Sequence, residues 1–331
     1  MPRKIKVAAA QVGAVHHWTA RTSTLKRLIG LLHSAHSQGA QLVVFPECTL
    51  TTFFPRYTMD DQTEIDKWFE QGDDPIQAPN IAPLFSEAHS LNVDIVVGFA
   101  ERTSTGTGYN TCVYYSGKLG KVLSKYRKVH LPGTKDPFPE KDAVNQLEKR
   151  YFTPGDLGFH AFRAPDLVDG ALKKGSSSQS ADGDTTGKGD AIVGMMICND
   201  RRWPEAWRVL GLQGVELVLC GYNTNGYAPQ LWGSRKQMTP EEAQKDSLFH
   251  HNLVMQSNSY MNACFSISAA RCGLDDNKFD LIGGSAIVDP QGHVVAQAKS
   301  THDEVVLAEI DLEDCRQGKE KVSDGLPAVW I

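Results

Sequence analysis

AIVGMMICNDRRWPEAWR, residues 191–208, is the stretch on which the reading of this chain turns. Its first half, with Ile192, Val193 and Ile197, is a short apolar run of the kind that forms a buried strand. Its later part, Trp203-Pro204-Glu205, reads as a helix start, with Pro at the first helical position and an acid behind it. Between them lie the Cys198 thiol, the Asn199 amide and the charged residues Asp200, Arg201 and Arg202. A strand that delivers a cysteine into a turn feeding a helix sets the sulfur at the carboxyl edge of a sheet, where open α/β folds keep their sites. Backbone N–H groups of such a turn can face an anion. Alone, Cys198 reads as one more buried thiol, a common fate for cysteine. The adjoining Arg201 and Arg202 argue for more, because two guanidiniums beside a strand end need a carboxylate, a phosphate or water.

Upstream, Lys4–Val12 is strand-like, and Thr22–Ser37 carries Leu25, Leu28, Ile29, Leu32 and Ala35 at helical spacing up to Gly39. Gln41–Phe45 is a buried strand stopped by Pro46, which completes a βαβ unit and leaves Glu47 at the second strand's carboxyl end. A helix around Ala82–Ser90 leads to a strand at Val93–Ala100, and Asn110–Ser116 pairs with Gly120–Lys128 through a Ser-Gly-Lys-Leu-Gly turn. Lys128 ends that strand, and Glu148 falls in a loop over Thr134–Gly158. Downstream, Val215–Cys220 is a buried strand opening into Gly221-Tyr222-Asn223-Thr224, and Thr239-Pro240-Glu241 starts a long helix to about Asn262. Strands follow at Cys264–Ala270, Ser285–Asp289, His293–Ala298 and Val305–Asp311. Helices and strands alternate, so the class is α/β, and the late hairpins make the sheets mixed.

The 331 residues are expected to form one domain, 1–331, with a flexible insertion at 165–190, which is poor in large apolar residues and rich in Gly, Ser and Asp. GDTTGKGD within it resembles a phosphate loop, but its Gly spacing is one short and Gly189 stands where Ser or Thr is needed. A net charge of −5 with scattered basic residues argues against a nucleic-acid partner. No apolar run approaches the ~20 residues of a membrane helix, and the apolar part of MPRKIKVAAAQVG is too short for a signal peptide. Seven dispersed cysteines without a CxxC pair fit reduced thiols in a cytoplasmic setting, neither a disulfide framework nor a zinc site. His250 and His251 are adjacent on a helix and cannot share a face, which argues against a metal pair.

Glu47, Lys128 and Cys198 each stand just past a strand, and if those strands are neighbours the three groups converge at one sheet edge. Their chemistry is complementary. An ammonium lowers the pKa of a thiol while a carboxylate takes its proton. Ammonium and turn N–H groups also stabilise the oxyanion that forms when sulfur attacks a carbonyl. Each has a plainer alternative: Glu47 as a solvated loop acid, Lys128 as a charge protecting an edge strand.

The segments FPE around Glu47, KYRKVHLPG around Lys128 and ICNDRRWPE around Cys198 resemble the nitrilase superfamily of carbon-nitrogen hydrolases. TLTTFFPRY, LEKRYFTPGDLGF, NDRRWPEAWRVLGLQG, GYNT and FHHNLVMQ are similar to its N-carbamoyl-D-amino acid amidohydrolase branch. This resemblance implies a four-layer αββα sandwich, self-associated through outer helices as a homodimer or homotetramer, and an amidohydrolase without cofactor or metal. It implies Cys198 as nucleophile, Glu47 as general base, Lys128 with the Asn199 N–H as oxyanion stabiliser, and Glu148 as the group orienting the lysine and the substrate nitrogen. It further implies that Arg201 and Arg202 take the substrate's α-carboxylate while His130, Asn199, Asn223 and Thr224 line the pocket. The planar forks of the two arginines suit bidentate carboxylate binding on chemical grounds as well.

The expected reaction is hydrolysis of an N-carbamoyl-D-amino acid to the D-amino acid, carbon dioxide and ammonia through a thioester on Cys198. The alternatives are a related hydrolase of β-ureido acids, amides or nitriles, and an inactive oligomeric scaffold. One departure from the branch concerns the site: Gln146 stands two residues before Glu148, where a histidine is usual.

Overall fold

A computed structural model describes residues 2–141, 143–168, 189–231 and 236–323. Most of the expected insertion, 169–188, lies outside the described residues. Two large mixed sheets face each other. The first contains β1 (Lys4–Gln11), β2 (Leu42–Val44), β3 (Glu70–Gln71), β4 (Asp94–Arg102), β5 (Gly108–Ser116), β6 (Lys121–Arg127) and β15 (Glu304–Asp311), in the order β15-β1-β2-β4-β5-β6 with β3 beside β4. The second contains β7 (Phe162–Ala164), β8 (Ala191–Ile197), β9 (Leu217–Tyr222), β10 (Phe265–Ala270), β13 (Ala286–Val288) and β14 (Val294–Gln297), in the order β14-β13-β10-β9-β8-β7. β1, β2 and β4 run parallel, as do β8, β9 and β10, and antiparallel strands flank both sets.

The layering follows from strands that are apolar on both faces. Ile5, Val7 and Ala9 of β1 lie in the core between the sheets, where β1 faces Ile267 and Ala269 of β10, and Met195 of β8 meets Cys112 of β5. The alternate residues, Ala8 and Ala10, face Leu28 and Leu32 of α1 (Arg21–Ser37) and the layer it shares with α3 (Ala82–Leu91). Met196 of β8 turns outward to Ala206, Trp207 and Leu210 of α5 (Pro204–Leu212) and Met255 of α6 (Pro240–Asn262). Covered on both sides, such strands read as continuous apolar runs, and the result is helix–sheet–sheet–helix. α6 begins at Thr239 as expected: the Thr239 hydroxyl accepts from Glu242 N–H at 3.2 Å, and the Glu242 carboxylate accepts from Thr239 N–H at 2.8 Å.

Several expectations are corrected. Glu148 is not in a loop; it opens the single-turn helix α4 (Glu148–Tyr151), preceded in the chain by α2 (Gln62–Asp66). The chain also forms a hairpin that the sequence did not suggest, β11 (Cys272–Asp275) and β12 (Phe279–Ile282), and α7 (Asp314–Ser323) follows β15. The strands before Glu47, Lys128 and Cys198 are not neighbours at one sheet edge. β4 and β5 separate β2 from β6, and β8 belongs to the other sheet. Facing sheets with parallel central strands bring the carboxyl ends together across the sandwich instead.

Candidate active site

β8 ends at Ile197, and Cys198 takes a left-handed backbone with φ of 49° before the 3-10 turn Cys198–Arg202. Such a conformation in a non-glycine residue costs about 1–3 kcal/mol and persists only where its surroundings impose it. Asp200 imposes it here. Its buried carboxylate accepts from Ile197 N–H at 3.2 Å, Tyr126 O–H at 2.7 Å and His130 N–H at 2.9 Å, and meets His130 Nδ1 at 2.8 Å. On the other side, Trp207 Nε1–H of α5 donates to Arg201 O at 2.9 Å. The Cys198 thiol, so aimed, donates to Asn223 O at 3.2 Å.

Behind it lies an ionic knot with no solvent exposure at its centre. Lys128 Nζ lies 2.6 Å from Glu47 Oε1 and 2.8 Å from Glu148 Oε1. Asn110 Nδ2 of β5 bridges the same carboxylates, at 2.7 Å from Glu47 Oε1 and 3.3 Å from Glu148 Oε2. Glu47 Oε2 accepts from Asn223 N–H at 3.0 Å. The turn carrying Glu47 fits because of two glycines: a Cβ on Gly98 of β4 would stand 2.9 Å from Glu47 Cα, and one on Gly221 of β9 would stand 2.7 Å from Glu47 N.

Burial pushes the Glu148 carboxyl up to about 7, helped by the Glu47 charge and opposed by Lys128. Burial and then Glu47 push the Cys198 thiol up to about 11, while Lys128 and Arg201 pull it down. For Lys128, burial works against the charge, but Cys198, Glu148 and Glu47 together hold it well above the ordinary lysine value. The resting thiol is therefore neutral, and the ammonium of Lys128 is retained.

A cavity of about 230 Å³ opens onto this group. Of the residues singled out from the sequence, Glu148, Cys198, Asn199, Arg201, Arg202, Asn223 and Thr224 line it, together with Gln146. Glu47 and Lys128 do not; they touch its wall through Asn223 and Glu148. His130 does not line it either. Its Nδ1 meets Asp200, and its carbonyl accepts from Asn199 Nδ2–H at 3.1 Å, so it braces the turn.

The two arginines diverge. Arg201 is buried at 2 % exposure and spends its donors on protein: Nε–H to His251 Nδ1 at 3.1 Å, Nη1–H to Cys198 O at 2.6 Å, Nη2–H to Thr224 Oγ1 at 3.0 Å. Arg202 is exposed in the cavity wall, and among the described residues no carboxylate pairs with it. All seven cysteines are buried and unpaired. Among the described residues no group of three His, Cys, Asp or Glu side chains could hold a metal, and no helix is long and apolar enough to cross a membrane.

Asn110, Asp200 and His251 belong to the site as well, without a role expected from the sequence. Asn110 did carry a signal, a polar amide inside a strand otherwise buried end to end.

The carbon-nitrogen hydrolase family model matches residues 6–320. An N-carbamoylputrescine amidase of Solanum tuberosum is 26% identical over 318 residues, covering 94% of this chain and 87% of that protein. A nitrilase of Pyrococcus abyssi is 30% identical over 283 residues, covering 85% and 81%. The crystal structure of a carbon-nitrogen hydrolase from Helicobacter pylori G27 superposes with a TM-score of 0.72 at 21% identity, over 97% of this chain and 93% of that one. At that identity the likeness is one of fold.

Proposed function

The chain belongs to the carbon-nitrogen hydrolase family, and from that premise we propose that it hydrolyses N-carbamoyl-D-amino acids, with Cys198 as nucleophile. The observation that carries the substrate class is Arg202, a guanidinium in the cavity wall without a carboxylate partner among the described residues. A plain amide or nitrile gives it nothing to bind. The ammonium end of N-carbamoylputrescine would meet it as a like charge, which costs several kcal/mol at an interface. The carboxylate of a carbamoyl amino acid fits it bidentately. Preference for the D-series rests on the resemblance of segments such as TLTTFFPRY and LEKRYFTPGDLGF to the D-specific branch.

In this reading Glu47 takes the thiol proton as the Cys198 sulfur attacks the carbamoyl carbon. Lys128 and the Asn199 N–H stabilise the oxyanion. The tetrahedral adduct collapses by expelling one nitrogen, which takes the proton from Glu47, and leaves a thioester. Glu47 then deprotonates a water that attacks this thioester, and the thiol leaves with the proton returned to it. Whichever nitrogen departs first, the products are the amino acid, carbon dioxide and ammonia. Glu148 holds Lys128 and faces the cavity, where it can accept from the substrate nitrogen. Thr224 and Asn223 complete the wall beside the thiol. The proposal includes a homodimer or homotetramer and no cofactor.

A β-ureido acid also carries a carboxylate, one carbon farther from the ureido group, and is the second reading. Ammonia release from N-carbamoyl-D-phenylalanine, its L-enantiomer, N-carbamoyl-β-alanine and N-carbamoylputrescine separates the cases. The D-compound is expected to turn over fastest, with Arg202→Met raising its KM at least tenfold. Preferred turnover of the putrescine compound, or an unchanged KM in R202M, would sink the assignment.

A further inference from the structure

Arg201 is a buried cation in an unusual setting. Among the described residues no carboxylate lies within ion-pair distance of it. Its donors end on the Cys198 carbonyl, the Thr224 hydroxyl and the His251 ring, its plane lies over Tyr222 with 4.5 Å to the ring centre, and Nη1 stands 3.7 Å from Cys198 Sγ. A buried charge without a counter-ion is costly unless something repays it. The group positioned to do so is the Cys198 sulfur in its thiolate form.

His251 of α6 supplies the acceptor that makes this possible. It is buried at 2 % exposure and stacks on Tyr222 with 4.4 Å between ring centres. Arg201 Nε–H can only donate, so His251 Nδ1 carries the lone pair and the ring proton sits on Nε2. Ser268 Oγ receives that proton's hydrogen bond at 3.3 Å, and its own hydroxyl donates to Ala286 O at 3.2 Å. This chain, running from the second sheet through α6 to the thiol turn, fixes one neutral tautomer. Burial and then the Arg201 charge also depress the imidazole well below the ordinary histidine value, which keeps it neutral.

We propose that His251 is a positioning residue that holds the Arg201 guanidinium against Cys198 without neutralising it, so that the full charge is available to the thiolate. An Asp or Glu there would orient Arg201 equally well but would cancel its charge and add a like charge near the sulfur. An apolar residue would leave Nε–H unsatisfied and remove one of the three protein acceptors that fix the guanidinium. Neutral imidazole orients and does not cancel. The charged groups that act on the Cys198 sulfur include Glu47, Lys128, Arg201, Glu148 and Arg202, and Arg201 takes part of its direction from α6.

The inference rests on Cys198 being the nucleophile, and the test separates the two. Full-length protein is treated with iodoacetamide from about pH 7 to 10, and the Cys198 adduct is quantified by peptide mapping, with Cys198→Ala as control. His251→Leu is expected to cut the Cys198 alkylation rate about tenfold near pH 8, the equivalent of about one pKa unit, and to move the profile to higher pH. His251→Asp is expected to do the same. His251→Asn, whose Oδ1 can replace Nδ1 as a neutral acceptor, is expected to stay within about twofold of the parent. If H251L does not fold, Ser268→Ala frees the ring's Nε2 side and is expected to slow labelling about threefold. A folded H251L or S268A with the parent profile would overturn the inference, as would an H251N protein as slow as H251L. No Cys198 adduct in the parent protein would overturn the nucleophile reading and this inference with it.

Discussion

Lys128 keeps its ammonium between the carboxylates of Glu47 and Glu148 with no exposure to solvent. Three ionisable groups out of water are expensive, and their mutual attraction repays the cost only with all partners in place. Replacing Lys128 with Met is therefore expected to destabilise the fold by about 3–5 kcal/mol, read as a lower urea midpoint, and to lower kcat at least a hundredfold. Glu148 gives the knot a pH dependence. Its carboxyl titrates at about 7 in the folded protein against an ordinary value of 4.5. Between these values the folded state holds a proton that the unfolded chain has lost. The stability tied to this proton is complete below about 4.5 and is lost as pH rises through about 7. Urea midpoints should accordingly fall from about pH 5 to pH 8 in the parent protein, and Glu148→Gln, always neutral, should flatten that slope. Glu47, Lys128 and Cys198 were legible because each ends a strand in a short polar motif. Asn110, Asp200 and His251 were not, because their meaning lies in partners 63, 70 and 50 residues away.

At the scale of elements, the close approach of strands to turns matters as much as the turns themselves. The backbone at Glu47 passes between Gly98 of β4 and Gly221 of β9, and at either position a methyl group would meet backbone at under 3.0 Å. Gly221→Ala cannot be absorbed by a rotamer change, so the Glu47 turn or β9 has to move. The expected outcome is a loss of about 1–3 kcal/mol of stability and a larger proportional loss in kcat than in KM, measured by steady-state kinetics on folded protein. An unchanged kcat would show that the Glu47 turn has room to shift. No spacing in the sequence marks these two glycines, since both sit in ordinary strand conformation and their constraint comes from a neighbouring segment. The β11–β12 hairpin was missed for a different reason. Its strands are only four residues each, and the three-residue loop between them, Asp276-Asn277-Lys278, begins with two residues at positive φ (56° and 55°), a conformation Asp and Asn tolerate without glycine.

Over the whole molecule, most strands and helices were legible because a sheet covered on both faces is made of continuous apolar runs. Which strand joins which sheet was not, because both sheets use the same kind of run and the partition is decided by packing across the sandwich. The outer layers leave a further trace. Phe249, Leu253 and Tyr260 of α6 are exposed at 59%, 49% and 63%. Their separations of four and seven residues put them on one face of the helix, with Val209 of α5 exposed at 42% in the same outer layer. Apolar side chains in one row on the outside of a sandwich are costly to leave in water and mark a contact face. The proposed self-association would cover them with the same surface of a second copy, as a two-fold interface requires. Phe249→Asp with Leu253→Asp places charges in that row, on exposed positions of α6, and should shift the sedimentation coefficient toward the monomer without reducing the folded fraction. An unchanged coefficient in the double variant would place the interface elsewhere. A monomeric variant would also separate assembly from the chemistry: α6 carries His251 toward Arg201 on its inner side, so any loss of activity on dissociation would measure how far the outer contact steadies that helix.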